Sequence, residues 1–265
     1  MHNLACLLLD KASKQIMYQF LKRNIKSIIP EKFLFKNELF FRHGYAFFFK
    51  GTSHECNVCN KKLRTFVNLK NHDLLCPNCG SLSRNRRLWG ILKKKNAIKG
   101  KVLHFSPSRN LFRNFKNDKN INYFSSDFEN EFLADYQFDI TKINQPDNTF
   151  DLIICYHVLE HIKDDTKAML EIYRVLKPNG IAYIQTPYKA GDIYEDYTIT
   201  TPEGREKHFG QNDHYRIYSV KGLDSRLKDS GFKTNIINFN ESKDDIFYGF
   251  LLTYLMICCF YAVLH

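Results

Sequence analysis

The sequence predicts an α/β protein built on a doubly wound, mostly parallel sheet, with a small cysteine-rich module ahead of it. Three observations predict this. After Gly100, short apolar runs alternate with amphipathic segments of helical spacing. Before it, four cysteines fall into two Cys-x-x-Cys pairs. The 265 residues, 44% hydrophobic and 15% aromatic, suffice for one substantial core and an appended module.

Residues 1–50 read as a helical, basic, amphipathic segment. In QIMYQFLKRNIKSII, residues 15–29, the apolar Ile16, Phe20, Leu21, Ile25, Ile28 and Ile29 recur at helical intervals, with Lys22, Arg23 and Lys26 between them. Such a helix packs on its own domain more often than on an anionic membrane, so peripheral membrane contact is the second reading. The opening MHNLACLLLDKASK lacks a basic leader and its apolar run breaks at Asp10, which predicts a cytoplasmic protein without a secretory signal.

Residues 51–95 carry Cys56-Asn-Val-Cys59 and Cys76-Pro-Asn-Cys79, separated by 16 residues. Each Cys-x-x-Cys turn presents two sulfurs on one knuckle, and four thiolates close a tetrahedral shell, so the spacing predicts a zinc ribbon with Cys56, Cys59, Cys76 and Cys79 as ligands of structural Zn²⁺. Reducing surroundings disfavour disulfides, and a segment of this size needs the folding energy that a metal supplies. Lys61, Lys62, Arg64, Lys70, Arg84, Arg86 and Arg87 follow the knuckles. They suit phosphate contacts, or, for the last three, docking of the ribbon onto the next domain.

Residues 100–265 form the α/β domain. The periodicity predicts strands at 102–105, 121–126, 136–140, 150–156, 181–186 and 233–239, and helices at 109–116, 164–176 and 219–230. The uncharged run 246–264 completes seven strands as a buried closing strand, in preference to a membrane tail. In such sheets ligands sit at the carboxyl ends of the strands where strand order reverses. Asp127, after INYFSSD, follows the first turn by about 20 residues, the spacing of a ribose-binding acid.

Charge is segregated. Residues 1–101 hold 21 Lys and Arg against 5 Asp and Glu, and the remainder 18 against 23. A basic front half fits an anionic partner such as nucleic acid, an acidic membrane or a glycan, or it reflects compositional drift.

The run DITKINQPDNTFDLIICYHVLEHIKDD, then LEIYRVLKPNGIAYIQTP, resembles the fourth and fifth strands of class I S-adenosylmethionine-dependent methyltransferases of the type-11 group. The Rossmann-like reading covers residues 101 to about 240. The ribbon, GSLSRNRRLW and VLHFSPSRNLF resemble a bacterial subfamily with a Cys-Pro-x-Cys-Gly-Ser module before that domain. The resemblance implies that Asp127 holds the ribose diol, that Asp139 and Ile140 flank the adenine, and that the first turn holds the methionine end. His104, Ser106, Pro107 and Ser108 replace the usual acidic residue and glycines there. Ser106, Ser108, helix N–H groups and Arg109 are the candidates for the methionine carboxylate, and His104 and Tyr156 belong to the same cofactor-binding set.

Methyl transfer needs an aligned acceptor and somewhere for its proton to go. The candidates are His157 and His161 after the fourth strand and His214 in HFGQNDHYRIY, within a long loop, 187–218, that would cover the site. His208, Asp213, Arg216 and Glu160 accompany them. The expected function is O-methylation of a sugar or other small-molecule hydroxyl, as in surface polysaccharide assembly. RNA methylation through the basic ribbon, with Phe66 and Trp89 as stacking residues, is the alternative. A ribbon binding module whose α/β domain has lost its cofactor is the third reading.

Overall fold

The computed structural model describes residues 37–129, 133–237, 248 and 259–263. The expected helix at 15–29 and most of the run 246–258 lie outside the described residues. Contacts divide the chain into Met1–Phe48 and Phe49–His265. The first unit contributes α1 (Glu38–Ala46), where Glu38 pairs with Arg42 one turn on at 2.7 Å.

The second unit opens with two small antiparallel hairpins, β1 (Lys50–Cys56) with β2 (Lys61–Leu63) and β3 (Val67–Asn68) with β4 (Leu74–Leu75). Each leads into or out of a knuckle. In the second, Gly80 takes a φ of +78° and its N–H returns to the Cys76 carbonyl at 2.9 Å. A helix that the periodicity did not predict follows, α2 (Ser83–Lys94). Its first turn is held from outside by Asp73, whose Oδ1 accepts from the Ser83 N–H at 3.2 Å.

The main sheet starts at Gly100 for a steric reason. Its φ is +66°, and a β-carbon there would fall 2.3 Å from Asp151 Oδ2, which takes the Lys101 N–H at 2.8 Å. The chain continues as β5 (Gly100–Phe105), α3 (Arg109–Asn117), β6 (Ile121–Ser126), β7 (Phe150–Tyr156), α4 (Asp165–Val175) and β8 (Leu176–Gln185). The small hairpin strand β9 (Tyr194–Glu195), α5 (Pro202–Phe209), β10 (Arg216–Ile217), α6 (Val220–Asp229), β11 (Lys233–Ile237) and β12 (Cys259–Val263) complete it. Side-chain caps fix the helix starts: Asp164 accepts from the Lys167 N–H, Thr201 from the Gly204 N–H and Ser219 from the Gly222 N–H.

Strand order is β11-β12-β8-β7-β5-β6. The four strands from β8 to β6 are parallel, and β12 lies antiparallel between β8 and β11. The expectation of a closing strand near the end therefore holds for residues 259–263. The expectation of seven strands does not, because the sheet has six among the described residues. Residues 136–140 make only a single bridge, Ser126 to Tyr136. Backbone pairing is confined to that bridge, where the Tyr136 N–H donates to the Ser125 carbonyl at 2.9 Å and the Asp127 N–H to the Tyr136 carbonyl at 3.1 Å, and beyond it the Phe138 N–H turns to Ser126 Oγ at 2.8 Å.

One continuous core binds the sheet to its helices. Leu103, Ile153, Phe150, Met169, Ile172, Ile184 and Leu227 lie in it, each fully buried. The chain runs from β5 outward to β6 and then back to β7 on the other side, so strand order reverses between β5 and β7. Their carboxyl ends frame the site.

Candidate active site and cysteine cluster

A cleft of about 1200 Å³ opens at those carboxyl ends. Its floor is the first turn. Ser106 takes φ +43°, a left-handed conformation that glycine usually supplies, and its Oγ donates to Asp127 Oδ1 at 2.8 Å. The glycine-poor turn is thus bent by a serine that the Asp127 carboxylate holds in place. Asp127 is 5% exposed, and it lines the cleft together with Ser106, Ser108, Ile140 and Tyr156. Asp139 also lines it, exposed, with Oδ1 turned back to the N–H and hydroxyl of Thr141 at 2.8 and 2.7 Å.

Two residues of the expected cofactor set behave differently. His104 lines the cleft while only 2% exposed, its ring edge-on to Phe115 and its Nδ1 3.2 Å from the Tyr123 hydroxyl. Burial pulls its pKa down to about 3, so it contributes a neutral wall. Arg109 starts α3 but is absent from the residues that line the cleft. Arg84, from α2, lines it instead.

The opposite wall carries the histidines. His157 ends β7 with φ +54°, another left-handed residue that is not glycine, and its Nδ1 lies 3.3 Å from Glu160 Oε1. His161 and His214 meet edge to face, ring centres 4.6 Å apart. His161 Nδ1 sits 2.8 Å from Asp213 Oδ2, and His214 Nδ1 lies 3.2 Å from the Phe209 carbonyl. Burial, then the neighbouring His161, lowers the pKa of His214 and keeps it neutral near pH 7. All three expected histidines therefore converge on one wall. His208 does not join them: it bonds the Tyr194 hydroxyl at 2.7 Å in the covering segment.

A buried arginine sets that wall. Arg216, with no exposed surface, points its guanidinium at the carbonyls of Leu159, Ile162 and Lys163, the segment that carries Glu160 and His161. Its charge is balanced by Glu195 at 2.9 Å and by Asp165, and both acids also hold Arg226. The Tyr215 N–H adds a backbone bond to the Glu160 carbonyl at 2.9 Å.

The four cysteines come together as free thiols. Cys56 and Cys79 sulfurs are 3.6 Å apart and Cys59 and Cys76 sulfurs 3.8 Å apart. Four sulfurs around tetrahedral zinc at about 2.3 Å stand roughly 3.8 Å from one another, so the donor set fits that ion. Hydrogen bonds among the sulfurs, then burial, push Cys76 and Cys79 above the ordinary thiol range, while the same hydrogen bonds hold Cys56 below it against its burial. A dication would let all four ionise.

The cysteine-bearing segment is docked onto the α/β domain. Asn114 donates to the Val58 carbonyl at 2.8 Å, and Trp89 packs edge-on against Phe115. Arg86, fully buried, donates to the carbonyls of Ser81 and Leu74 at 2.6 and 2.9 Å and stacks on Phe66 at 4.1 Å. Phe66 and Trp89, 4% and 9% exposed, are core residues and not the open stacking platform that the RNA reading needs.

The periodicity missed what α2 and α5 bring. Arg84 enters the cleft from α2, and Arg205 from α5 stacks over Tyr215 at 4.2 Å on its rim. Thr201-Pro202 before α5 was a legible helix start. The direction of Arg84 depends on how the ribbon docks, which no local pattern encodes.

Comparison with known proteins agrees with this architecture. Residues 93–184 match the Methyltransferase domain family. Over that span the α/β domain is similar to methyltransferase domains. Its fold matches an S-adenosylmethionine-dependent methyltransferase from Mesorhizobium loti, with a TM-score of 0.50 at 15% identity, over 66% of this chain and 96% of that one. A probable S-adenosylmethionine-dependent methyltransferase of Mycolicibacterium smegmatis is 26% identical over 95 residues, 36% of this chain and 33% of the relative. A ubiquinone biosynthesis O-methyltransferase of Rickettsia bellii is 30% identical over 77 residues, 27% of this chain and 32% of the relative. The match thus spans about a third of the length of these curated relatives.

Proposed function

We propose that this protein transfers a methyl group from S-adenosylmethionine to a hydroxyl of a sugar or other small molecule, and that its four cysteines hold a structural zinc ion. The observation that carries the reading is the placement of buried Asp127 and the Ser106 turn facing a wall of three histidines across one cleft.

Bound there, the cofactor supplies an electrophilic methyl group on a sulfonium. Asp127 accepts hydrogen bonds from the ribose hydroxyls, while Ile140 and Asp139 border the adenine. Ser108, at the start of α3, and the helix N–H groups receive the carboxylate. The acceptor's proton goes to the histidine wall. His157 Nε2 is buried without a hydrogen-bond partner among the described residues, and a neutral imidazole in that state accepts a proton. Residues between Arg205 and Tyr215 line the cleft and would keep water from the reacting atoms.

Titration calorimetry with S-adenosylmethionine on the zinc-loaded protein tests this. Micromolar binding is expected, weakened at least tenfold by Asp127→Ala. No binding by the unaltered protein would leave the reading of a ribbon binding module with a silent α/β domain.

A further inference from the structure

We propose that Glu160, His161 and His214 form a second metal site, one that takes a divalent transition-metal ion at the edge of the cleft. The site stands on geometry alone; its catalytic use rests on the methyl-transfer reading above. One ligand atom from each of the three residues lies within 4.8 Å of the others, the span that a single ion at ~2.0–2.2 Å from each can bridge after small rotations.

Glu160 is the decisive residue. It is 1% exposed, yet neither carboxylate oxygen has a hydrogen-bond partner among the described residues. A buried carboxylate in that state is unfavourable unless a cation compensates it. The nearest offers are incomplete. His157 Nδ1 stands 3.3 Å away, and Arg84, whose charge reaches Glu160, makes no ion pair with it.

The imidazoles are oriented as ligands are. His161 presents Nδ1 to the Asp213 carboxylate at 2.8 Å, and His214 presents Nδ1 to the Phe209 carbonyl at 3.2 Å. Each arrangement leaves Nε2 with its lone pair, and His214 Nε2 is buried with no partner. Outer partners that fix the tautomer of a metal-bound histidine are the usual second layer of such centres.

Two imidazoles and one carboxylate suit zinc, iron(II), cobalt or nickel over magnesium or calcium, which prefer all-oxygen shells. Three protein ligands leave a position open, and here the opening faces the cleft, since all three residues line it. The ligand class that fits is an oxygen donor on the methyl acceptor, a hydroxyl whose ionisation the ion would favour. His157 stays outside the ligand set as the proton acceptor, its Nδ1 steadied by Glu160.

Cobalt(II) loading of the full-length protein reads the site directly. Cobalt on the cysteine cluster shows intense thiolate charge-transfer bands; cobalt on the cleft site shows only weak d–d bands. The expected result is cobalt uptake with thiolate-free bands that Glu160→Gln and His161→Gln each abolish, while bands from the cysteine cluster persist and report an intact fold. Asp213→Asn should weaken cleft uptake about tenfold or more. Absence of thiolate-free cobalt in the unaltered protein, or its survival in both variants, overturns the proposal. Cofactor calorimetry on the same samples separates the two readings, because metal uptake without S-adenosylmethionine binding would sink the methyl-transfer reading and leave the site standing.

Discussion

At the residue scale, the first turn shows how one side chain stands in for another. Glycine is absent from the first turn, yet Ser106 adopts the left-handed backbone that glycine usually provides and ties itself to Asp127. Asp127 was legible from spacing. Its bond to Ser106 was not, because it joins residues 21 apart through a fold contact. His104 makes a sharper case: chemically it suits a binding role, but position within β5 buries it. Its folded-state pKa of about 3 lies below the unfolded value near 6.5. Below pH 6.5 the unfolded chain gains a proton that the folded one refuses, so His104's contribution to stability is complete above that pH and erodes as pH falls toward 3. Urea unfolding at pH 7 and pH 5 should therefore show the unaltered protein losing about 2 kcal/mol more than His104→Gln. Equal losses would mean that His104 is protonated in the fold.

At the element scale, the helices and most of the strands that the periodicity placed after Gly100 are found within a few residues of their expected bounds, because a buried parallel strand and an amphipathic helix write their pattern locally. The strand at 136–140 stops at the Tyr136 bridge, where the Phe138 N–H turns to the Ser126 hydroxyl in place of a carbonyl, a diversion that hydrophobic spacing does not register. The histidine wall depends on a similar non-local device. Arg216 reaches from β10 to three carbonyls after β7 and carries its own counter-ions. Arg216→Met leaves Glu195 and Asp165 with one cation in place of two and frees the 159–163 segment. Denaturant unfolding should register a loss of about 3–5 kcal/mol, and the His161–His214 contact should loosen with it. A loss under about 1 kcal/mol would show that backbone bonds alone hold the segment.

At the scale of the whole molecule, the ribbon and the cleft are mechanically one. The four cysteines set the two knuckles, the knuckles launch α2, and α2 supplies Arg84, Asn85 and Leu88 to the cleft. Cysteine spacing made the first step readable; the last required the docking of Trp89 on Phe115 and Asn114 on Val58. Removing the proposed zinc with a strong chelator is expected to expose residues 51–95 to limited proteolysis and, on the proposed function, to lower S-adenosylmethionine affinity at least severalfold, although no cysteine lines the cleft. Unchanged affinity in a proteolysed ribbon would uncouple the two. The positive charge of the front half is partly absorbed in this docking, since Arg86 and Arg87 are buried and only the remainder can face an anionic partner.

The order of the sheet also bears on how the protein is made. β12 comes last in sequence but lies between β8 and β11. As the polypeptide emerges from the ribosome, β8 and β11 wait as neighbours without a bond between them, each with an open edge, until residues 259–263 arrive to join them. Synthesis therefore leaves a half-built sheet whose stickiest moment comes just before its completion, and slow decoding of the apolar stretch ahead of that strand would prolong it.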